Sequence, residues 1–306
     1  MATMKAVGVS KYGPVPSDPI GRQVLVKVKA CSVNPIDHKV RSGTYDDAPD
    51  FHIIGFDGAG TIEKIGPDCQ LFKVGDEVSW VGSTTEQGSY AEYQLVSELA
   101  CAKKPKNLDF VDTASYGLTF MTAFQSLHRR MEINGGGGIG SAAIQLAKRV
   151  LKLPVVVATA SRPETTESCK RMGATHAINH REDIVKQSED LKLKVPINCA
   201  PFGKVCTIVQ ADVSLYGTEF MSKSLTFSWD WLGSAAYHDT GVEDYHEMLG
   251  TISRLMEEDT LFSTVGTRLR LTFEELKEAH RRVESSTTVG KTALGIDEPG
   301  EGEPFA

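Results

Sequence analysis

The run Asn134-Gly135-Gly136-Gly137-Gly138-Ile139-Gly140-Ser141 has the composition and spacing of a phosphate-binding turn. Gly135, Gly137 and Gly140 satisfy G-x-G-x-x-G: the first permits a tight turn, the second lets backbone approach a pyrophosphate, and the third lets helix pack close to strand. Gly138 and Ile139 complete the turn, and the amphipathic stretch Ala142 to Val150 follows at once. A helix N-terminus there offers free N–H groups and a positive dipole end to phosphates. A flexible glycine-rich loop has the same composition, so the surrounding residues must decide.

About 20 residues beyond such a turn, at the end of the next strand, stands the residue that reads an adenosine ribose. That place holds Ala158-Thr159-Ala160-Ser161-Arg162-Pro163. An acidic residue would accept from the 2′-hydroxyl of NAD, whereas Ser161 and Arg162 supply a hydroxyl and a planar cation suited to a 2′-phosphate, which predicts NADPH. Read alone, Ser161 is equally a helix N-cap ahead of Pro163, and Arg162 a solvated charge. His180 and Arg181, closing the following strand, fall either beside the same phosphate or in an ordinary surface loop.

The elements that must position these residues change character along the chain. The first part is β-rich: Val24 to Ala30 and Gly60 to Ile65 alternate, and Asp76 to Val78 and Tyr90 to Tyr93 follow between Gly and Pro turns. This predicts a small barrel-like domain. From Asp112 to about Arg130 the pattern is helical, and after the glycines strands and helices alternate in the β-α order of a parallel sheet. Val155 to Ala158, Ala177-Ile178 and Val205 to Val209 are predicted strands, and Pro163 to Met172 a helix. Phe273 to Glu284 is an amphipathic helix, and Gly290 to Ile296 a strand returning to the first domain.

A chain of 306 residues with a net charge of −7 has room for two domains and disfavours nucleic acid or an anionic membrane as partner. No run approaches the roughly 18 apolar residues of a membrane span, and the N-terminal residues do not form a signal peptide. The six cysteines are scattered, without C-x-x-C or a Cys/His cluster, and are expected to be buried reduced thiols. A cytoplasmic location follows.

At this point the residues resemble the zinc-independent quinone oxidoreductases of the medium-chain dehydrogenase/reductase superfamily, and in particular the branch of zinc-type alcohol dehydrogenase-like proteins. The resemblance rests on Ala30 to Tyr45, Ile54 to Gly60, Gly75 to Val78, Gly88 to Tyr93, Gly117 to Ala123 and Gly135 to Lys148, closed by Ala279-His280 and Gly290-Lys291. It implies a Rossmann-type doubly wound parallel sheet plus a β-rich GroES-like barrel domain. The expected domains are 1–117 as the first part of the GroES-like domain, 118–262 as the NADPH-binding domain, 263–296 as the return, and 297–306 as an acidic disordered tail. It also implies a homodimer pairing edge strands, with Ser224 to Phe227 as the candidate edge.

Zinc-dependent relatives place a cysteine where this chain has Asn34 and a His-Glu pair where it has Phe56-Asp57. Amide and phenyl groups do not bind zinc like thiolate and imidazole, and no four-cysteine lobe is present, which predicts no metal. What remains is hydride transfer to an electrophile that needs little polarisation, a quinone or an activated enone. Asn34 is then a hydrogen-bond donor to the substrate carbonyl, and Tyr45 a donor of a hydrogen bond or proton as charge develops there. The resemblance further implies that Asp37 orders this loop, Thr122 lies near the nicotinamide, and Lys291 closes over the cofactor. Asn34-Pro35 is also a common turn former, Tyr45 a possible core aromatic and Asp37 a loop cap. Phe51, Phe56, Trp229 and Trp231 read as core aromatics or as the lining of an apolar pocket.

Three departures stand out. Relatives have apolar residues forming a central strand just before the glycine turn, whereas Ser126 to Ile133 here is helix-like and runs directly into Asn134. Losing that strand leaves neighbouring backbone groups unpaired, each costing about 1–3 kcal/mol if buried. Val195 to Cys199 passes straight to Ala200 to Val205, where a crossover takes roughly 10 to 12 residues. Pro16 to Pro19 jumps to Ile20-Gly21-Arg22 with a strand missing between. The expectation is a chain with internal deletions near 19–20, 131–134 and 199–201. Three readings compete with an active NADPH-dependent reductase: a zinc-dependent alcohol dehydrogenase-like enzyme, an NADPH-binding protein without catalysis, and a truncated inactive isoform.

Overall fold

The computed structural model describes residues 18–43, 52–130, 140–183, 186–187, 190–191, 199–210, 212–213, 220–285 and 288–296. The chain divides into two compact units, 1–121 with 233–306, and 122–232.

The first unit is organised around β1 (Gln23–Val33), whose β-branched residues Val24, Val26 and Val28 are fully buried. On one edge β1 pairs antiparallel with β2 (Asp57–Ile65). On the other it pairs first with β4 (Tyr93–Ser97) and then with β11 (Lys291–Gly295). The path continues through β3 (Glu77–Val81) to β5 (Cys101–Lys103), and at the opposite end β10 (Val265–Arg270) lies parallel to β11. The barrel predicted from the sequence is thus an open seven-stranded sheet among the described residues. Val24, Val26 and Val28 pack with Ile62, Val78 and Trp80 on one side. Cys31 and Val33 pack with Ile53, Phe56, Tyr90 and Leu294 in a second cluster.

The strand predicted at Tyr90 starts only at Tyr93, because the preceding backbone is committed elsewhere. The N–H groups of Gly88, Ser89 and Tyr90 donate to the carbonyls of Ile53, Gly55 and Ile54 at 2.6, 3.1 and 3.0 Å. This lacing fixes the approach to β2. Gly55 sits within it at φ +112°, where a Cβ would come within 2.4 Å of the Ser89 hydroxyl. Helix α1 (Pro35–Arg41) follows β1 directly, with proline at its first turn. A helix at Phe273–Glu284, capped by the Thr272 hydroxyl accepting from the Glu275 N–H, links β10 to β11 as a β-α-β crossover.

In the second unit, β6 (Val157–Thr159) and β7 (His176–Ile178) form a parallel pair joined by the helix Pro163–Met172. A second parallel pair joins β8 (Lys204–Thr207) and β9 (Thr226–Trp229). Val155 and Val156 fall short of the predicted strand: Val155 is exposed, and the Val156 N–H donates to the Thr175 hydroxyl at 2.9 Å. The predicted helix at Ala142 opens at Gly140 and loosens into a wide turn over Leu146–Val150. The strand in question before the glycine run lies outside the described residues, as does the tail from 297. Among the described residues, a turn closed by the Gly203 N–H donating to the Ala200 carbonyl at 2.9 Å leads into β8.

Phe56 is buried as expected of a core aromatic, but Trp229 is exposed and meets only the edge of Phe227 among the described rings. All six cysteines are free thiols, with Cys31 and Cys101 fully buried and the other four half-buried. No described helix is long and apolar enough to cross a membrane.

Candidate active site

Sheet register, rather than sequence proximity, assembles the candidate site in the first unit. Val33 of β1 faces Thr292 of β11, so the next residue, Asn34, is brought to Lys291 at the start of β11. On the other edge Cys31 faces Gly58 of β2, so Ser32 is brought to Asp57. One end of the sheet therefore gathers an amide, a carboxylate, a hydroxyl and an ammonium.

These groups are enclosed: Asn34 is 1% exposed and Ser32, Asp37 and Asp57 are 0% exposed. Lys291 is partly buried, with its ammonium turned inward, donating to the Val33 carbonyl at 2.9 Å and to Asn34 Oδ1. Asn34 Nδ2 donates to Asp57 Oδ1 at 3.2 Å, and the Ser32 hydroxyl donates to the same oxygen at 2.7 Å. Asp37 is the third helical residue of α1 and accepts from the Asn34 backbone N–H at 2.5 Å, half of a capping arrangement that fixes where the helix starts. The Tyr90 phenol lies against Asp37, 3.4 Å from the Ser32 carbonyl, and its ring stands edge-on to His280.

Two buried carboxylates around one inward-turned ammonium set the protonation. Burial pushes the Asp37 carboxyl up to about 7 against the opposing pull of the Asn34 N–H and of Lys291, with Asp57 adding to the rise. Asp57 is also raised by burial, against the pull of Lys291, Ser32 and Asn34, which all stabilise its charge. Burial lowers Lys291, opposed by the two aspartates, and raises the Tyr90 phenol and Cys31 thiol well above their ordinary ranges. The causes are the usual ones: desolvation disfavours each charged form, and neighbouring charges correct it.

Of the predicted residues, Asn34, Asp37 and Lys291 come together here. Tyr45, Gly135, Gly137, Gly138 and Ile139 lie outside the described residues. Gly140 opens its helix at φ +44°, a left-handed backbone conformation that glycine adopts without steric cost. Thr122, in the second unit, is half-buried on α2 (Phe110–Phe124). Ser161 and Arg162 follow β6, and His180 follows β7, at the same carboxyl end of the parallel pair. The N-cap of the helix at Pro163 is Arg162 rather than Ser161, with the Arg162 N–H donating to the Thr165 hydroxyl at 3.3 Å. Arg162 also faces Glu164 at 3.6 Å, and His180 is exposed.

Asp57 and Ser32 are members of the cluster that motif spacing did not supply. Asp57 carried a signal, an acid inside the apolar run Ile53 to Ala59, but its partners are set by strand register alone. The donor set is a poor one for zinc: an amide already holding an ammonium, a phenyl group at position 56, and a single carboxylate oxygen shared by two donors. Among the described residues no three His, Cys, Asp or Glu side chains are grouped to hold a metal ion.

Comparison with known proteins agrees with this architecture. Residues 21–106 match the alcohol dehydrogenase GroES-like domain and residues 138–211 the zinc-binding dehydrogenase family. The chain is 36% identical over 310 residues to a zinc-type alcohol dehydrogenase-like protein of Staphylococcus aureus strain COL, covering 91% of this chain and 92% of the relative. It is 30% identical over 334 residues to a quinone oxidoreductase of Lama guanicoe, covering 95% of this chain and 97% of the relative. A solved protein from Rhizobium etli CFN 42, described as a candidate zinc-dependent alcohol dehydrogenase, superposes with a TM-score of 0.88 at 34% identity over 97% of this chain and 99% of its own. The first alignment runs to 310 positions while taking in 91% of a 306-residue chain, so that relative carries segments with no counterpart here.

Proposed function

The chain belongs to the medium-chain dehydrogenase/reductase superfamily, whose oxidoreductases use a nicotinamide cofactor, and from that premise we propose that it is an NADPH-dependent reductase of quinones or activated enones working without zinc. The observation that carries the proposal is the Lys291 ammonium donating to Asn34 Oδ1: a fixed cation already occupies the side chain that stands at a zinc-ligand position in metal-dependent relatives. Nicotinamide, when bound, supplies the hydride. In this reading Asn34 donates to the carbonyl oxygen of the substrate, and the neighbouring positive charge strengthens that donor as the oxygen gains charge. Tyr45 supplies the hydrogen bond or proton to the same oxygen. Asp37 holds the Asn34 backbone in place from the first turn of α1.

On the cofactor side, Ser161 and Arg162 just beyond the carboxyl end of β6, with His180 just beyond that of the adjacent β7, fit a 2′-phosphate in chemistry and position. Gly135, Gly137, Gly138, Ile139 and Gly140 are proposed for the pyrophosphate, Thr122 for the nicotinamide. Homodimers are proposed to form through β9, whose Trp229 is 53% exposed, in a cytoplasmic protein.

Purified protein is expected to oxidise NADPH only when a quinone or enone is added, and to keep that activity in strong chelator, with less than one zinc per chain by elemental analysis. Turnover that chelation removes and zinc restores would return the alcohol dehydrogenase reading. NADPH binding without turnover on quinones, enones or aldehydes would favour a binding protein, and neither binding nor cooperative unfolding an inactive isoform.

A further inference from the structure

An amide side chain can flip, exchanging its oxygen for its nitrogen at almost no steric cost, so a catalytic asparagine must be held one way round. Asn34 is flanked by two groups of opposite hydrogen-bonding character. The Lys291 ammonium, which can only donate, is on Oδ1; the Asp57 carboxylate, here an acceptor, receives Nδ2 at 3.2 Å. Flipping the amide would set donor against donor and acceptor against acceptor, inside an enclosure where Asn34 is 1% exposed. Lys291 is itself anchored by the Val33 carbonyl at 2.9 Å, and Asp57 by the Ser32 hydroxyl at 2.7 Å. Both anchors belong to β1, which ends at Val33 immediately before Asn34, so the clamp is tied to the strand that leads into its target.

We propose that Lys291 and Asp57 are positioning residues that clamp the Asn34 amide in one orientation, leaving one Nδ2–H as the hydrogen donated to a substrate oxygen. The other Nδ2–H is taken by Asp57. The remaining one has only the Ser32 hydroxyl oxygen, at 3.5 Å, as a protein acceptor. This gives Lys291 a task separate from covering the cofactor, the role its family resemblance implies. The proposal rests on the reading of Asn34 as the substrate-carbonyl donor, and its test separates the two.

The first measurement needs no turnover. In protein labelled with 15N-asparagine, with the Asn34 side chain assigned by its loss in Asn34→Ala, the wild-type amide hydrogens should exchange at least ~100-fold more slowly than those of an exposed asparagine. Lys291→Met should collapse that protection while leaving the thermal transition cooperative; Asn34 hydrogens that already exchange freely in the wild type overturn the clamp. The second is kinetic. Lys291→Met should lower kcat by about 10- to 100-fold with NADPH Kd unchanged within about twofold, and should add little to the loss in Asn34→Ala. Lys291→Arg, which keeps the cation, should recover part of the rate. A weaker NADPH Kd in Lys291→Met, with losses that multiply in the double variant, would assign Lys291 to the cofactor and overturn the proposal. Should Lys291→Met fail to fold, Asp57→Asn must show the same loss of protection for the proposal to stand. Wild-type protein that lacks quinone or enone turnover yet protects Asn34 refutes the functional reading and leaves the clamp intact.

Discussion

Asp37 is enclosed with Asp57, Lys291, Tyr90 and Cys31 around it, and its carboxyl is pushed from 3.8 up to about 7, mainly by burial. The folded value lies above the unfolded one, so between about pH 4 and 7 the folded protein holds a proton that the unfolded chain has released. The stability this contributes is complete below about pH 4 and is lost as pH rises toward 7, by up to about 1.4 kcal/mol per pH unit. Asp57, raised in the same sense, steepens the slope. Asp37→Asn keeps an oxygen for the Asn34 N–H and removes the charge, so urea titrations across this range should give a flatter profile, and an unchanged slope would refute the assignment. Asn34, Asp37 and Lys291 could be singled out from the sequence because each sits in a short stretch that carries the family resemblance. Asp57 and Ser32 were not, because what makes them members of the site is an antiparallel register between segments 25 residues apart. The inward turn of Lys291 was illegible for the same reason, its partner lying 257 positions away.

The elements with strong periodicity or Gly and Pro punctuation were predictable: β1, β2, the Pro163–Met172 helix and the Phe273–Glu284 helix lie where alternation and amphipathicity put them. β10 was not, since Val265–Arg270 alternates half-buried with exposed residues and mixes glycine, threonine and arginine, which is also the pattern of a surface loop. Its pairing with β11 makes it a strand. Between them, Gly290 holds φ at +80°, and a Cβ there would stand 2.5 Å from the Thr264 carbonyl oxygen. Gly290→Ala should therefore destabilise the first unit by at least about 1 kcal/mol from backbone strain, with more from the contact, and should disturb Lys291 through the adjoining peptide. Thermal melts would read the first effect and the proposed quinone reductase activity the second; an alanine variant with wild-type Tm would contradict the backbone argument. In the Glu243–Glu257 helix, Leu249 and Ile252 are fully enclosed, and truncating either to alanine should cost about 2–5 kcal/mol in urea denaturation.

The two units carry unequal described cores. The first has a seven-stranded sheet with apolar clusters on both sides of β1, whereas the second has parallel pairs of three and four residues, and the residues of β8 are only half-buried. Short, partly wet parallel ladders open at lower free energy than a long enclosed strand. Amide hydrogen exchange should thus find β1 and β2 protected to the global limit and β6 to β9 opening earlier, with urea unfolding in two phases; uniform protection and one sharp transition would contradict it. The change from alternation to β-α order in the sequence falls near the point where the chain passes from the first unit to the second. The end of the sheet where β1, β2 and β11 converge has a further consequence, in the order of synthesis. Asn34, Asp37 and Asp57 leave the ribosome early, but the ammonium that faces both carboxylates belongs to residue 291. Until that residue emerges, two carboxylates share a pocket with no cation to balance them, so closing this end of the sheet is a late event in folding. A nascent chain halted before Lys291 should keep β1 and β2 splayed at that end and expose them to proteases and chaperones.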